Sequence, residues 1–258
     1  MPVSDRSEVV WARERAFHDD LARCLDVDGL DHESSQDRLD LALFELAGDV
    51  RDSSVLDAGC GQGDMTLRLL ERGARVTALD LSPGMVDVVR ERVRRISGAT
   101  GSFTPLVAPL ERSHVPDNSF DLVLGRFVLH HLDVRAGCLE LRRILRPGGR
   151  AIFIENSGEN PALAFARKWL TGRFGIPRLG TEDEHPLIGR DLDDLREMFA
   201  QVTAHYPVFE CFVLFDRQVL RFRHRGLSQM CRGLDDAIHQ HAPRLRRFSY
   251  RVLVELEN

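Results

Sequence analysis

The chain has 258 residues, 43% hydrophobic and 29% charged, with a formal net charge of −5 at pH 7. That length suits one large α/β domain or a core with a small lid, and the mild negative charge argues against a general affinity for polyanions such as nucleic acid. Cys24, Cys60, Cys138, Cys211 and Cys231 are scattered and include no Cys-x-x-Cys pair. This points to a reducing cytoplasm and away from a disulfide framework or a metal site. No apolar run approaches a membrane span and the first residues do not read as a signal peptide, so no membrane partner is expected.

Val10, Phe17, Leu21 and Leu25 recur at helical spacing and predict an amphipathic helix over residues 7–25. Asp26 to Glu33 reads as a loop. Ser34-Ser35 is placed to cap a second helix carrying Leu39, Leu43 and Phe44 and ending at Gly48. A buried strand is predicted at 54–58, a helix at 64–72 and a strand at 75–80. Ser82-Pro83 opens a helix running to about Ile96, with proline where its missing N–H costs nothing. Short strands follow near 103–107 and 120–124, then a helix at 133–145, an Arg-Pro-Gly-Gly turn and an apolar strand at 151–155. Beyond residue 156 the rhythm changes. Residues 156–190 are rich in glycine, proline and charge. A helix at 190–200, a strand at 202–214, one or two helices over 215–242 and a last strand at 250–256 complete the chain. Strands alternating with helices predict an α/β fold around a parallel sheet. The expected organisation is a helical cap at 1–34, a core at 35–156, and lid insertions with the C-terminal part of the sheet at 157–258.

The most informative stretch is Ser53 to Asp64, where Gly59, Gly61 and Gly63 follow a buried strand at alternate positions. Such spacing lets the backbone turn tightly and lets a ligand lie against bare main chain beside a helix N-terminus. The second strand ends in Asp80, an acid positioned to accept both hydroxyls of a ribose. The spacing is not the Gly-x-Gly-x-x-Gly of dinucleotide sites.

Strand four, Ser-Phe-Asp-Leu-Val-Leu, is followed by Phe-Val-Leu-His-His-Leu and then by Leu-Arg-Pro-Gly-Gly-Arg before strand five. With these motifs in order, the sequence resembles the class I S-adenosylmethionine-dependent methyltransferases, particularly the bacterial small-molecule group. The resemblance covers residues 35–156 and extends weakly to the C-terminus. It implies a Rossmann-like, mostly parallel seven-stranded sheet with helices on both faces and a helical lid. It also implies S-adenosyl-L-methionine as cofactor and S-adenosyl-L-homocysteine as product. Asp57 and Gly59 would contact the methionine part, while Gly61 and Gly63 would keep the loop open. Asp80 would hold the ribose, Leu81 would pack on the adenine and Met85 would line their pocket. Where the family often carries Asp-Ala after strand three, this chain has Pro109-Leu110, so adenine recognition falls to the backbone around Leu110 or to Glu111. Arg126 would meet the cofactor carboxylate.

Methyl transfer needs mainly in-line positioning and exclusion of water, with a base only where the nucleophile carries a proton hard to lose. His130 and His131, past strand four, are candidates for a base or for orienting the loop. Glu155 and Asn156, ending strand five, either meet substrate or cap the strand. Glu184 and His185 lie in the expected lid, and Trp11, Phe17, Phe165, Trp169 and Phe174 are candidates to wall an apolar acceptor. The basic clusters Arg221, Arg223, Arg225 and Arg244, Arg246, Arg247 read as a solvated face or a dock for an anionic substrate. The expected activity is O- or N-methylation of a small metabolite, with a homodimer as one option. A non-methylating cofactor binder (cyclase or structural) and a tRNA or rRNA methyltransferase are the alternatives.

Overall fold

A computed structural model describes residues 5–27, 37–96, 101–170 and 186–258. In chain order these form α1 (Asp5–Cys24), α2 (Arg38–Ala47), β1 (Ser54–Ala58), α3 (Asp64–Glu71), β2 (Arg75–Asp80), α4 (Pro83–Arg95) and β3 (Phe103–Val107). There follow β4 (Phe120–Arg126), α5 (Val134–Ile144), β5 (Leu145–Asn156), α6 (Pro161–Leu170), α7 (Gly189–Met198) and β6 (Gln201–His205). Helices α8 (Phe212–Phe215) and α9 (Arg225–His241) and strand β7 (Arg251–Glu257) complete the chain. The seven strands make one sheet in the order β3-β2-β1-β4-β5-β7-β6. All pairings are parallel except those of β7, which runs antiparallel to both β5 and β6.

Strands β1, β4 and β5 are central and read as near-continuous apolar runs, as a sheet covered on both faces requires. One face is packed by α2 and α3, through Leu39, Leu43, Met65 and Leu69. The other is packed by α5 and α7, through Cys138, Leu141, Ile144, Leu192 and Leu195. The strand order reverses between β1 and β4, so the crevice at their carboxyl ends is where this topology places a ligand.

Three expectations need correction. Ser34-Ser35 lies outside the described residues, and the cap of α2 is Asp37, whose carboxylate accepts from Leu39 N at 2.9 Å. Strand β6 ends at His205, because Pro207 has no N–H for the ladder. A few residues on, the amides of Cys211, Phe212 and Val213 turn instead to the Asp235 carboxylate. Strand β5 starts early, at Leu145, and the Pro-Gly-Gly turn is absorbed as an irregularity between Phe120 and Leu122 of its neighbour.

Gly59 has φ +67°, and a Cβ there would lie 2.6 Å from Val128 Cγ2. Gly59→Ala is therefore expected to push the loop after β4 off the glycine loop and to abolish cofactor binding, measured by calorimetry. Val128→Ala in the same chain should recover part of the affinity, less the roughly 1 kcal/mol or more held in the left-handed backbone. Equal loss in the single and double variants would show that the contact is not what forbids a side chain.

Candidate active site

The glycine loop is held from below by its own sheet. Cys60 N donates to Leu79 O at 2.9 Å, and Gly63, in a left-handed conformation, donates to Cys60 O at 2.8 Å and starts α3. The Asp80 carboxylate spans the gap between loop and helix. Its Oδ2 accepts from Gly61 N and its Oδ1 from Ser82 N, both at 2.9 Å. A carboxylate offers about four acceptor positions, so capacity for two hydroxyls remains. Beside it a Cβ on Gly61 would meet nothing within 4 Å, so this stretch of backbone faces open space.

Asp57 lies deeper, buried at the end of β1, with the Thr66 hydroxyl donating to Oδ2 at 2.5 Å. Burial raises its pKa to about 6 against the bond from Thr66, with the Asp80 charge adding a smaller push upward. Burial raises Asp80 as well, opposed by the amides of Ser82 and Gly61. Two buried acids that resist ionisation, beside an open strip of main chain, suit a cationic ligand bearing a diol. A sulfonium with an α-ammonium and a ribose has those features, so the residues present fit S-adenosylmethionine.

The sign of the Asp57 shift gives a pH dependence. Its raised folded-state pKa makes ionisation cost stability as pH rises from about 4 to about 6. A cation bound nearby lowers that pKa, so binding below pH 6 releases a proton. Cofactor affinity is expected to rise from pH 5 to pH 7, approaching tenfold per unit at the acid end and flattening above pH 6. Calorimetry in buffers of different ionisation enthalpy reads the proton directly. A flat profile over this range, with Asp57→Asn unchanged from wild type, would remove the linkage.

Helix α1 covers the donor side. Arg15 Nε donates to Leu81 O at 3.2 Å, and Asp19 accepts from the Ser82 hydroxyl at 2.5 Å and from Gly84 N at 3.0 Å. The Ser82 hydroxyl holds the Asp19 carboxyl below the usual range. Trp11 Nε1 donates to Glu111 Oε1 at 3.4 Å, and Asp133 N reaches the same oxygen at 3.3 Å. Glu111 thus ties the cap helix to the start of α5, and burial raises its pKa. Leu110 is buried in the core beneath, and Met85 is buried in the first turn of α4 with its N–H on the Ser82 hydroxyl.

The loop after β4 is organised by one acid. Glu155, fully buried at the end of β5, accepts from Val128 N at 2.8 Å and Leu129 N at 2.7 Å through Oε1. Its Oε2 lies 2.7 Å from His130 Nδ1. The bond to Glu155 places the His130 proton on Nδ1 and makes Nε2 the basic nitrogen. The His131 ring stacks obliquely on His130 at 4.2 Å and its Nδ1 lies 3.5 Å from Glu14 Oε2 of α1. Burial, helped by His130 and His18, lowers the His131 pKa to about 3, so this ring stays neutral at physiological pH.

The structure thus brings Asp57, Gly59, Gly61, Gly63 and Asp80 together at the ends of β1 and β2, and His130, His131 and Glu155 together at the ends of β4 and β5. Arg126, expected to meet the cofactor carboxylate, has its guanidinium 3.0 Å from Asp40 Oδ2 and 3.6 Å from Asp64 Oδ2, so acids of α2 and α3 engage it. Phe17, Phe165 and Trp169 are exposed on the outside of their helices. Glu184, His185 and Phe174 lie outside the described residues. Nothing in the sequence distinguishes Glu14, Arg15, His18 and Asp19 as site residues, because there they are ordinary charges on an amphipathic helix. Among the described residues no group of three or more His, Cys, Asp and Glu is placed to hold a metal ion.

Residues 56–153 match a family model described as a methyltransferase domain. The chain is 35% identical over 140 residues to the demethylmenaquinone methyltransferase of Tropheryma whipplei, covering 54% of this chain and 56% of that one. It is 34% identical over 166 residues to the ubiquinone/menaquinone biosynthesis C-methyltransferase of Azotobacter vinelandii, covering 63% of each. The chain therefore spans between about half and just under two thirds of these relatives' length. Among solved structures, geranyl diphosphate C-methyltransferase from Streptomyces coelicolor superposes with a TM-score of 0.57 at 17% identity, covering 88% of this chain and 81% of that one. That likeness is one of fold. Matched motifs, sheet order and donor-site geometry agree over residues 56–153, which match a methyltransferase domain and carry the features of the class I S-adenosylmethionine-dependent type.

Proposed function

We propose that this chain transfers a methyl group from S-adenosylmethionine to a small-molecule acceptor whose reacting atom must shed a proton. The reading covers a phenolic oxygen and the ring carbon of a phenol or quinol. The observation that carries it is the Glu155–His130 pair at 2.7 Å, at the carboxyl end of β4 on a loop whose Val128 packs against Gly59. The bound cofactor supplies an activated methyl group on a sulfonium. Asp80 orients it, the main chain at Gly61 gives it room, and α1 shields it from water. Glu155 holds the His130 ring with Nε2 as the proton acceptor, and the buried carboxylate stabilises the imidazolium formed when the acceptor hydroxyl gives up its proton. A neutral amine attacks through its lone pair and sheds its proton only after transfer, so the pair favours hydroxylated aromatics over the N-methylation also expected from the sequence. The relatives named as demethylmenaquinone and ubiquinone/menaquinone methyltransferases lend support to a quinol-type acceptor.

The test is S-adenosylhomocysteine formation across matched panels of phenols, reduced quinones and amines. Turnover confined to hydroxylated aromatics, and lost in His130→Ala while cofactor affinity is kept, supports the reading. Turnover with amines alone sinks it.

A further inference from the structure

The connection between β6 and β7 folds into a hairpin that the methyl-transfer chemistry does not use. Helix α8 continues into a π-helical turn, Asp216–Leu220, reverses through Arg221 and Phe222, both at φ +55°, and returns as α9. The two arms are antiparallel, because the amides of Cys211, Phe212 and Val213 at the start of the first reach Asp235 late in the second. Asp216 on one arm, with Ser228, Cys231 and Asp235 on the other, is buried and defines the seam. In an antiparallel pair, the positions one residue before each seam position fall on the same side of both helices. On this hairpin they are Phe215 on one arm and Leu227, Met230 and Leu234 on the other, with Phe212 and Val219 about one turn to either side of Phe215. All six are apolar and between 37% and 55% exposed.

The opposite flank, one residue after the seam, turns to the body of the protein. Asp236 pairs with Arg38 of α2 at 2.5 Å, and the Arg217 guanidinium lies 5.7 Å from the Tyr250 ring centroid. The apolar row is therefore the outward side. Charge along the hairpin is one-sided. Residues 217–234 contain five arginines and neither aspartate nor glutamate, in a chain with 40 acidic and 35 basic residues. Arg223 and Arg225 stand exposed at the tip, with Phe222 between the arms.

We propose that this hairpin lies on an anionic lipid bilayer, its apolar row seated in the headgroup–acyl boundary and the arginines at its tip on lipid phosphates. A contiguous apolar row with a cationic rim has the composition of an interfacial surface. Charge selects the occupant. A second copy would bring the same cationic rim against itself across a self-complementary interface. No helix of the described residues is long and apolar enough to cross a membrane, so the association is peripheral. This revises the expectation of no membrane partner and is independent of which acceptor is methylated.

The experiment is flotation of the full chain with equimolar phosphatidylcholine–phosphatidylglycerol vesicles, against pure phosphatidylcholine, at low and high salt. The wild type is expected to float with the anionic vesicles and to be released by salt. Arg223→Gln with Arg225→Gln should weaken binding roughly twenty-fivefold, at about fivefold per cation near such a surface. Arg221 is left in place because of its left-handed backbone. Phe215→Ser with Met230→Ser should abolish flotation while leaving cofactor affinity and the circular dichroism spectrum unchanged. Two results would overturn the proposal. They are no flotation of the wild type at low salt, or concentration-dependent dimerisation abolished by the Phe215/Met230 pair without lipid binding.

Discussion

Asp80→Ala is expected to weaken S-adenosylmethionine binding by roughly a hundredfold or more, about 3 kcal/mol at 1.4 kcal/mol per decade. The carboxylate has two tasks. It holds Gly61 N and Ser82 N at 2.9 Å, fixing the loop against the start of α4, and in the proposed binding mode its remaining acceptor capacity takes the ribose hydroxyls. Hydrogen bonds to a charged acceptor contribute about 1.5–3 kcal/mol each, so losing the two to the ribose accounts for the effect even if the loop stays in place. Asp80→Asn separates the tasks. It keeps one acceptor for an amide and should bind the cofactor better than Asp80→Ala, yet worse than wild type. Calorimetry with S-adenosylhomocysteine reads all three, and unchanged affinity in Asp80→Ala would remove the ribose assignment.

Glu155→Gln is expected to lower kcat by a factor on the order of 10² to 10⁴ while cofactor affinity changes by less than a few-fold. The amide oxygen still accepts from Val128 and Leu129, so the loop stays folded. Its NH₂ faces His130 Nδ1 and forces the other tautomer, placing the proton on Nε2 where the base is needed. Glu155→Ala behaves differently because it leaves two buried amides without an acceptor. At about 1–3 kcal/mol each the loss is about 2–6 kcal/mol, and the melting temperature should fall by roughly 10 °C. Full activity in Glu155→Gln would reduce His130 to a packing residue.

The donor half of the site was legible because it is local. Three glycines, the strand before them and an acid at the end of the next strand are set by backbone requirements that sequence spacing displays directly. The central strands β1, β4 and β5 were equally visible, since buried parallel strands are apolar throughout. What spacing does not display is which distant groups meet. Trp11 reaches Glu111 across 100 residues and Arg126 reaches Asp40 across 86. Nothing near Arg126 announces that its charge is taken by acids on α2 and α3. The dual reading of Glu155, as cap and as substrate contact, resolves toward the cap, because three donors converge on it from one loop. For the hairpin the sequence pattern predicts only one or two helices. Its seam is built from Asp216, Ser228, Cys231 and Asp235, so an apolar period points to the outside and misleads.

The bonds from Gly61 to Asp80, Asp80 to Ser82 and Ser82 to Asp19 form one continuous chain from the donor loop to helix α1. Docking of that helix and occupancy of the site therefore share a carboxylate, and by reciprocity each must strengthen the other to the same degree. Because α1 is tied to the start of α4 through Asp19, loosening it is expected to shorten the residence time of the product. Asp19→Ala, remote from the methyl group, would speed release of S-adenosylhomocysteine in stopped-flow measurements before it altered any chemical step.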